Sequence, residues 1–175
     1  MLSEKDKKEL VSIARNSILN PTFKTEKFKE KLGVFVTIYV TGSLNGCIGF
    51  IEPVMELGQA IVKASRLAAY EDHRFPSLQK NEEFEIEISV LSIPKLIEVK
   101  DPKEYFKKIK VPGDGLIIEG KNGSGLLLPQ VFVEHKCNVE KALEMVCQKA
   151  GLCYNDWMDL NNKVYVFNAE VFKET

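Results

Sequence analysis

At 175 residues, 45% hydrophobic and 28% charged, the chain has the make-up of a globular protein that can bury a proper core without disulfide staples. Its 24 Lys and Arg against 25 Asp and Glu leave a net charge of −1, which excludes the basic footprint of sequence-independent nucleic-acid binding. No apolar run is long enough to span a bilayer, and the charged start Met1-Leu2-Ser3-Glu4-Lys5-Asp6 lacks the pattern of a signal peptide. The expectation is a reduced, cytoplasmic protein with no membrane and no nucleic-acid partner.

Ser3 followed by Asp6 reads as a capping box, and Leu10, Ile13, Ala14 and Ile18 recur at helical spacing. They predict an amphipathic helix over residues 4–18, ended by Asn20-Pro21. Lys24 to Lys31 reads as a short helix or a loop. The β-branched and aromatic run Val34 to Thr41 predicts a strand, and Gly42-Ser43 a two-residue hairpin turn. The returning strand carries Leu44-Asn45-Gly46-Cys47-Ile48-Gly49-Phe50. Pro53 is placed in the first turn of the helix that follows, whose narrow apolar face is Leu57, Ala60, Ile61, Ala64, Leu67 and Ala68. That helix should end near Tyr70, before the polar segment Glu71-Asp72-His73-Arg74-Phe75-Pro76.

Phe84, Ile86, Ile88 and Val90 alternate with Glu83, Glu85, Glu87 and Ser89, so the next strand has one apolar face and one face that is solvated or lines a cleft. Asp101-Pro102 opens a helix with Tyr105, Phe106 and Ile109 on its apolar side. Residues 115–120 and 124–128 flank Asn122-Gly123, a strong hairpin signal, and the local glycines match neither phosphate-loop pattern. Asn138 caps a helix carrying Val139, Ala142, Leu143, Val146 and Ala150, with Gly151 as its stop and Cys147 as packing. Asp156-Trp157 falls in a loop, and Val164 to Phe172 reads as one last strand. The fold class is α/β, mixed α+β: one domain over residues 1–175, of one or two lobes, with antiparallel hairpins packed by several helices.

Candidate chemistry gathers at Cys47. Period-2 alternation places Asn45, Cys47 and Gly49 on one face of their strand, and Gly46 and Gly49 leave room for a close backbone approach. A thiol there is either a tuned nucleophile or a small core residue. Cys47, Cys137, Cys147 and Cys153 form no C-x-x-C pair, and His73 and His135 lie far apart, so no metal site is signalled and no cofactor is expected.

Three blocks together resemble the AMMECR domain family. Leu44-Asn45-Gly46-Cys47-Ile48-Gly49 resembles its L-R-G-C-I-G hallmark, and Asp72-His73-Arg74-Phe75-Pro76 its D-x-R-F-P segment. Leu127-Leu128-Pro129-Gln130-Val131, then Glu134, then Lys149-Ala150-Gly151-Leu152, resembles its third block. The likeness runs from about residue 5 to 173 and implies a mixed α/β fold with a larger and a smaller lobe meeting at a cleft near the cysteine motif. It brings no reaction with it. It does suggest, by gene association, Memo-like or radical-SAM-like proteins as partners. Two departures stand out: Asn45 occupies the place of the family's arginine, and His135-Lys136-Cys137-Asn138 replaces a G-W-D-like sequence. Without the guanidinium, Cys47 should be less activated unless Arg74 or the helix starting at Pro53 takes its place.

Two functions follow. In the first, favoured for this chain because of Asn45, the protein binds a small ligand or a partner protein beside the motif, through Asn45, Gly46, Gly49, Arg74, Glu87 and Glu134. In the second it is a thiol-dependent enzyme with Cys47 as nucleophile, His73 or His135 as base and Arg74 as anion clamp. A metal held by Cys47, a histidine and Glu87 has the right ligand types but no supporting spacing.

Overall fold

The computed structural model describes residues 2–174. In chain order its elements are α1 (Glu4–Leu19), β1 (Gly33–Val40), β2 (Ser43–Phe50), α2 (Leu57–Tyr70), β3 (Phe84–Leu91) and β4 (Lys95–Leu96). Then follow α3 (Tyr105–Lys108), β5 (Gly115–Gly120), β6 (Gly123–Leu127), α4 (Pro129–Glu134), α5 (Val139–Lys149), β7 (Lys163–Phe167) and β8 (Ala169–Lys173). They form a mixed α/β structure with two four-stranded sheets, ordered β2-β1-β3-β8 and β4-β7-β5-β6. The chain divides into two compact units, residues 1–91 with 170–175, and residues 92–169.

In the first unit, Val34, Val36, Ile38, Ile86 and Ile88 fill one face of the sheet and are at most 1% exposed. Each such side chain contributes roughly 1.5–3 kcal/mol of burial. They share a core with Leu10, Ala14 and Ile18 of α1 and with Leu57, Ala60, Ile61, Ala64 and Ala68 of α2. The expected capping box forms at Ser3 and Asp6. Arg66 of α2 donates to the carbonyls of Ser17, Asn20 and Phe23, fastening the C-terminal end of α1. The alanine face lets α2 sit very close to β2: a Cβ on Gly46 would lie 2.0 Å from the Ala68 carbonyl oxygen.

Two boundaries in this unit differ from expectation. The β1–β2 turn is Thr41-Gly42, one residue earlier than Gly42-Ser43, with both residues at positive φ (50° and 77°). A turn of that hand matches the twist of the flanking strands, which outweighs the cost of placing a β-branched threonine there. Helix α2 starts at Leu57, so Pro53 lies in the preceding loop instead of the first turn. The reason is the segment at 24–31, which is a loop. Its Glu30 and Phe28 carbonyls accept the Leu57 and Gly58 N–H groups at 2.8 and 3.1 Å, capping the helix from outside.

The second unit has its own core, in which Leu116, Ile118, Leu143, Val146 and Val164 are fully buried. Asn138 caps α5 as expected, through Lys141 N–H, and Gly151 follows it at φ 72°. Cys147 packs fully buried, which pushes its thiol up to about 11. Sequence expectation is corrected at four places. The β5–β6 turn is Lys121-Asn122, because Gly123 serves packing: a Cβ there would meet the Ala150 carbonyl oxygen at 2.1 Å. The helix after Asp101 is a 3-10 turn, Pro102–Glu104, running into one turn of α3. Trp157 is not in an open loop but in a 3-10 turn, Asp156–Met158, 3% exposed and edge-on to Tyr105 and Phe106. The last strand is two strands, broken at Asn168: β7 belongs to the second sheet and β8 to the first.

Candidate functional site

Strand β2 is an edge strand, so every second residue turns its N–H and C=O away from the sheet. At Cys47 both are taken up by one short segment after α2. The Cys47 N–H donates to Asp72 Oδ2 at 2.9 Å, and the Cys47 carbonyl accepts from the Arg74 guanidinium at 2.8 Å. Arg74 in turn grips Asp72 with two parallel bonds, Nε to Oδ1 at 2.8 Å and NH2 to Oδ2 at 2.7 Å. The Asp-x-Arg pair therefore closes the sheet edge where another strand would pair, with charge-assisted bonds in place of a neighbour's backbone. Asp72 is buried, and the guanidinium beside it holds its carboxyl well below the usual carboxylate range. Arg74 remains mostly exposed and lies over the ring of Phe75.

With its backbone turned outward, Cys47 forms a non-hydrogen-bonded pair with Thr37 of β1, the arrangement that brings side chains closest. Thr37 Oγ1 donates to the Cys47 sulfur at 3.2 Å. The next residue across the sheet is Glu87 of β3, opposite Thr37, and its carboxylate pairs with Lys173 of β8 at 3.3 Å. Burial pushes the Cys47 thiol above its ordinary value. The Thr37 hydroxyl and the Arg74 charge pull it down, while the carboxylates of Asp72 and Glu87 push it up again. Burial is the largest of these influences, and the balance leaves the thiol raised.

The predicted site residues divide into those that meet here and those that do not. Cys47, Arg74 and Glu87 share the surroundings just described. Asn45 is the extra residue of a β-bulge, since Tyr39 faces Leu44 and Ile38 faces Gly46. Its amide donates to the Pro76 carbonyl at 3.2 Å, tying the strand to the end of the Asp72–Pro76 segment. Gly46 and Gly49 serve close packing: a Cβ on Gly49 would meet the Val34 carbonyl oxygen at 2.3 Å. His73 is exposed and has no hydrogen bond or ion pair among the described residues. Glu134 and His135 are exposed residues at the end of α4, in the second unit. Among the described residues no group of three or more His, Cys, Asp and Glu could hold a metal. Two residues that matter were passed over as site residues, Asp72 and Thr37. The i, i+2 spacing of Asp72 and Arg74 was a readable signal for the first; the second follows only from strand register.

Comparison with known proteins gives a consistent result. The sequence model of the family described as AMMECR1 matches residues 8–172. Protein MJ0810 of Methanocaldococcus jannaschii is 46% identical over 153 residues, covering 85% of this chain and 76% of its own. A protein of Methanothermobacter thermautotrophicus is 39% identical over 99% of this chain and 96% of its own. The crystal structure of the uncharacterized protein PH0010 from Pyrococcus horikoshii superposes with a TM-score of 0.87 at 39% identity, covering 99% of this chain and 93% of that one.

Proposed function

The chain belongs to the AMMECR1 family, and on that premise we propose that it is a recognition domain which holds a small ligand or a partner protein beside the Leu44–Phe50 motif, without covalent chemistry at Cys47. The observation that carries this reading is the use made of Asp72 and Arg74. Both are committed to the backbone of Cys47, so the thiol has a charged neighbour that braces its strand but, among the described residues, no base hydrogen-bonded to it to take its proton. The only side chain hydrogen-bonded to its sulfur is a threonine hydroxyl, among the described residues. The surface offered to a ligand is polar: the outward part of the Arg74 guanidinium, the Asn45 bulge, and the half-buried thiol. Memo-like and radical-SAM-like proteins are the first partners to try, on family association alone.

The nucleophile reading is favoured by two features, the Thr37 hydrogen bond and the Arg74 charge, and opposed by burial, which outweighs them. The test is binding of a candidate partner or ligand, scored by thermal shift and intact mass, in wild type, Cys47→Ser and Arg74→Ala. Recognition predicts that Cys47→Ser binds within about twofold of wild type, a serine being near-isosteric, while Arg74→Ala weakens binding by about tenfold, the effect of one lost charged hydrogen bond. A covalent adduct on Cys47 that depends on the ligand contradicts it.

A further inference from the structure

The first sheet is stopped at one edge and open at the other. At β2 the Asp72–Arg74 pair takes up the outward backbone of Cys47; at β8, the opposite end of the sheet, no side chain among the described residues does the same. The Glu174 N–H donates to the Ile86 carbonyl at 2.9 Å, which sets the residues whose backbone faces β3. By alternation, Val171 and Lys173 turn their N–H and C=O groups outward, with no strand beside them. Val171 is 40% exposed, and Lys173 is exposed as well. Next to this edge, between β8 and the outer flank of α1, lies a groove of about 460 Å³. Val11 and Phe172 form its apolar part. Lys7 pairs with Glu4 and Glu170, and Arg15 with Glu174, so those charges are committed within the fold. Lys8 lines the same groove, is exposed, and has no partner among the described residues.

We propose that the β8 edge and the groove beside α1 form a docking site for an extended, acidic segment of a protein partner, which adds to the sheet as a further strand along β8. In such strand addition the main-chain hydrogen bonds give affinity, and pockets for alternate side chains give selection. Here the outward groups of Val171 and Lys173 supply the ladder. Every second side chain of the added strand enters the groove, where Val11 and Phe172 receive an apolar group and Lys8 receives a carboxylate. A basic segment would meet Lys8 with like charge and is selected against. A second copy of this chain fits less well, because Glu170 and Glu174 of its own β8 are already committed to Lys7 and Arg15. The site lies on the opposite edge of the sheet from the Leu44–Phe50 motif, so it does not rest on the function proposed there.

The experiment titrates the full chain with two fluorescent peptides of about six residues, the length of a common strand. One alternates Glu with Val and the other Lys with Val; binding is read by anisotropy, and amide hydrogen exchange by NMR. The expected result is that the Glu–Val peptide binds about tenfold more tightly than the Lys–Val peptide and slows exchange at the Val171 and Lys173 amides. Lys8→Glu, at an exposed position, should weaken the Glu–Val peptide about fivefold without unfolding the protein. Methylating alternate backbone nitrogens of that peptide, which alters no residue of the protein, should abolish binding if the ladder holds it. Equal binding of the two peptides, no binding of either, or binding that leaves exchange at Val171 and Lys173 unchanged overturns the proposal. So does a concentration-dependent dimer that protects the same two amides without peptide, since the edge would then belong to a second copy.

Discussion

Asp72 is the residue on which the candidate site depends most, although Cys47 draws the eye first. Its carboxylate accepts from the Cys47 N–H and from the backbone N–H and two guanidinium nitrogens of Arg74 while itself almost removed from water. Buried acceptors of charged hydrogen bonds are expensive to lose, and Asp72→Asn should cost about 2 kcal/mol at neutral pH. The sign of the pH dependence follows from the lowered pKa. The carboxylate's contribution is complete above its unfolded value of about 3.9 and is lost as pH falls through the lower folded value. The gap between wild type and Asp72→Asn in urea midpoint should therefore be constant from pH 7 to about pH 5 and shrink at pH 3 and below. A gap that does not change with pH would remove the charge from the account. At this scale the sequence was partly legible. An aspartate and an arginine two apart invite pairing, and the structure forms that pair. That the pair would plug a strand edge was not legible, because nothing local says which strand ends a sheet.

Elements built on alternation or on capping residues were read closely. Helix α1 with its capping box, strand β3 with its buried Phe84, Ile86 and Ile88, and α5 between Asn138 and Gly151 all lie within a residue or two of expectation. The misplacements share a cause, which is that a distant backbone decides. Pro53 was read as a helix start, but the carbonyls of Phe28 and Glu30 set the start at Leu57. Asn122-Gly123 was read as the turn, but α5 needs Gly123 bare. The same logic makes Gly46 the most sensitive position of the motif. It is buried, and any side chain there drives into the Ala68 carbonyl, so Gly46→Ala should cost about 3 kcal/mol, at the upper end for overpacking. Thermal unfolding checks this. A Gly46→Ala protein as stable as wild type would mean that α2 can retreat from β2, and that the glycine is kept for a ligand instead.

Over the whole molecule, connectivity is what the sequence concealed. The chain leaves the first unit after Leu91 and returns to it at Glu170. Where it crosses, Ser92 and Asn168 exchange hydrogen bonds: the Ser92 N–H donates to the Asn168 carbonyl, and the Asn168 N–H donates to the Ser92 hydroxyl, each at 2.9 Å. Asn168 also donates from its amide to the Gly113 carbonyl and to Asp114. Val164 to Phe172 reads as one strand because both halves are rich in β-branched and aromatic residues; the single asparagine that divides them between two sheets carries no stronger signal than any polar residue in a strand. The consequence for the site is that Lys173, on the returning strand, reaches the Glu87 carboxylate in the row that ends at Cys47. That row, from Lys173 through Glu87 and Thr37 to Cys47, could not be assembled from spacing alone.

The central claim is that Cys47 is a protonated, braced residue of a recognition surface and not a nucleophile. The pH dependence of alkylation at each cysteine of the native protein, read by mass spectrometry, tests it most directly. The account predicts that exposed Cys153 is modified first, and that Cys47 reacts slowly, with an apparent pKa above the free-thiol value of about 8.5. Selective modification of Cys47 at pH 6 to 7, ahead of Cys153, would contradict it and make the thiol a nucleophile.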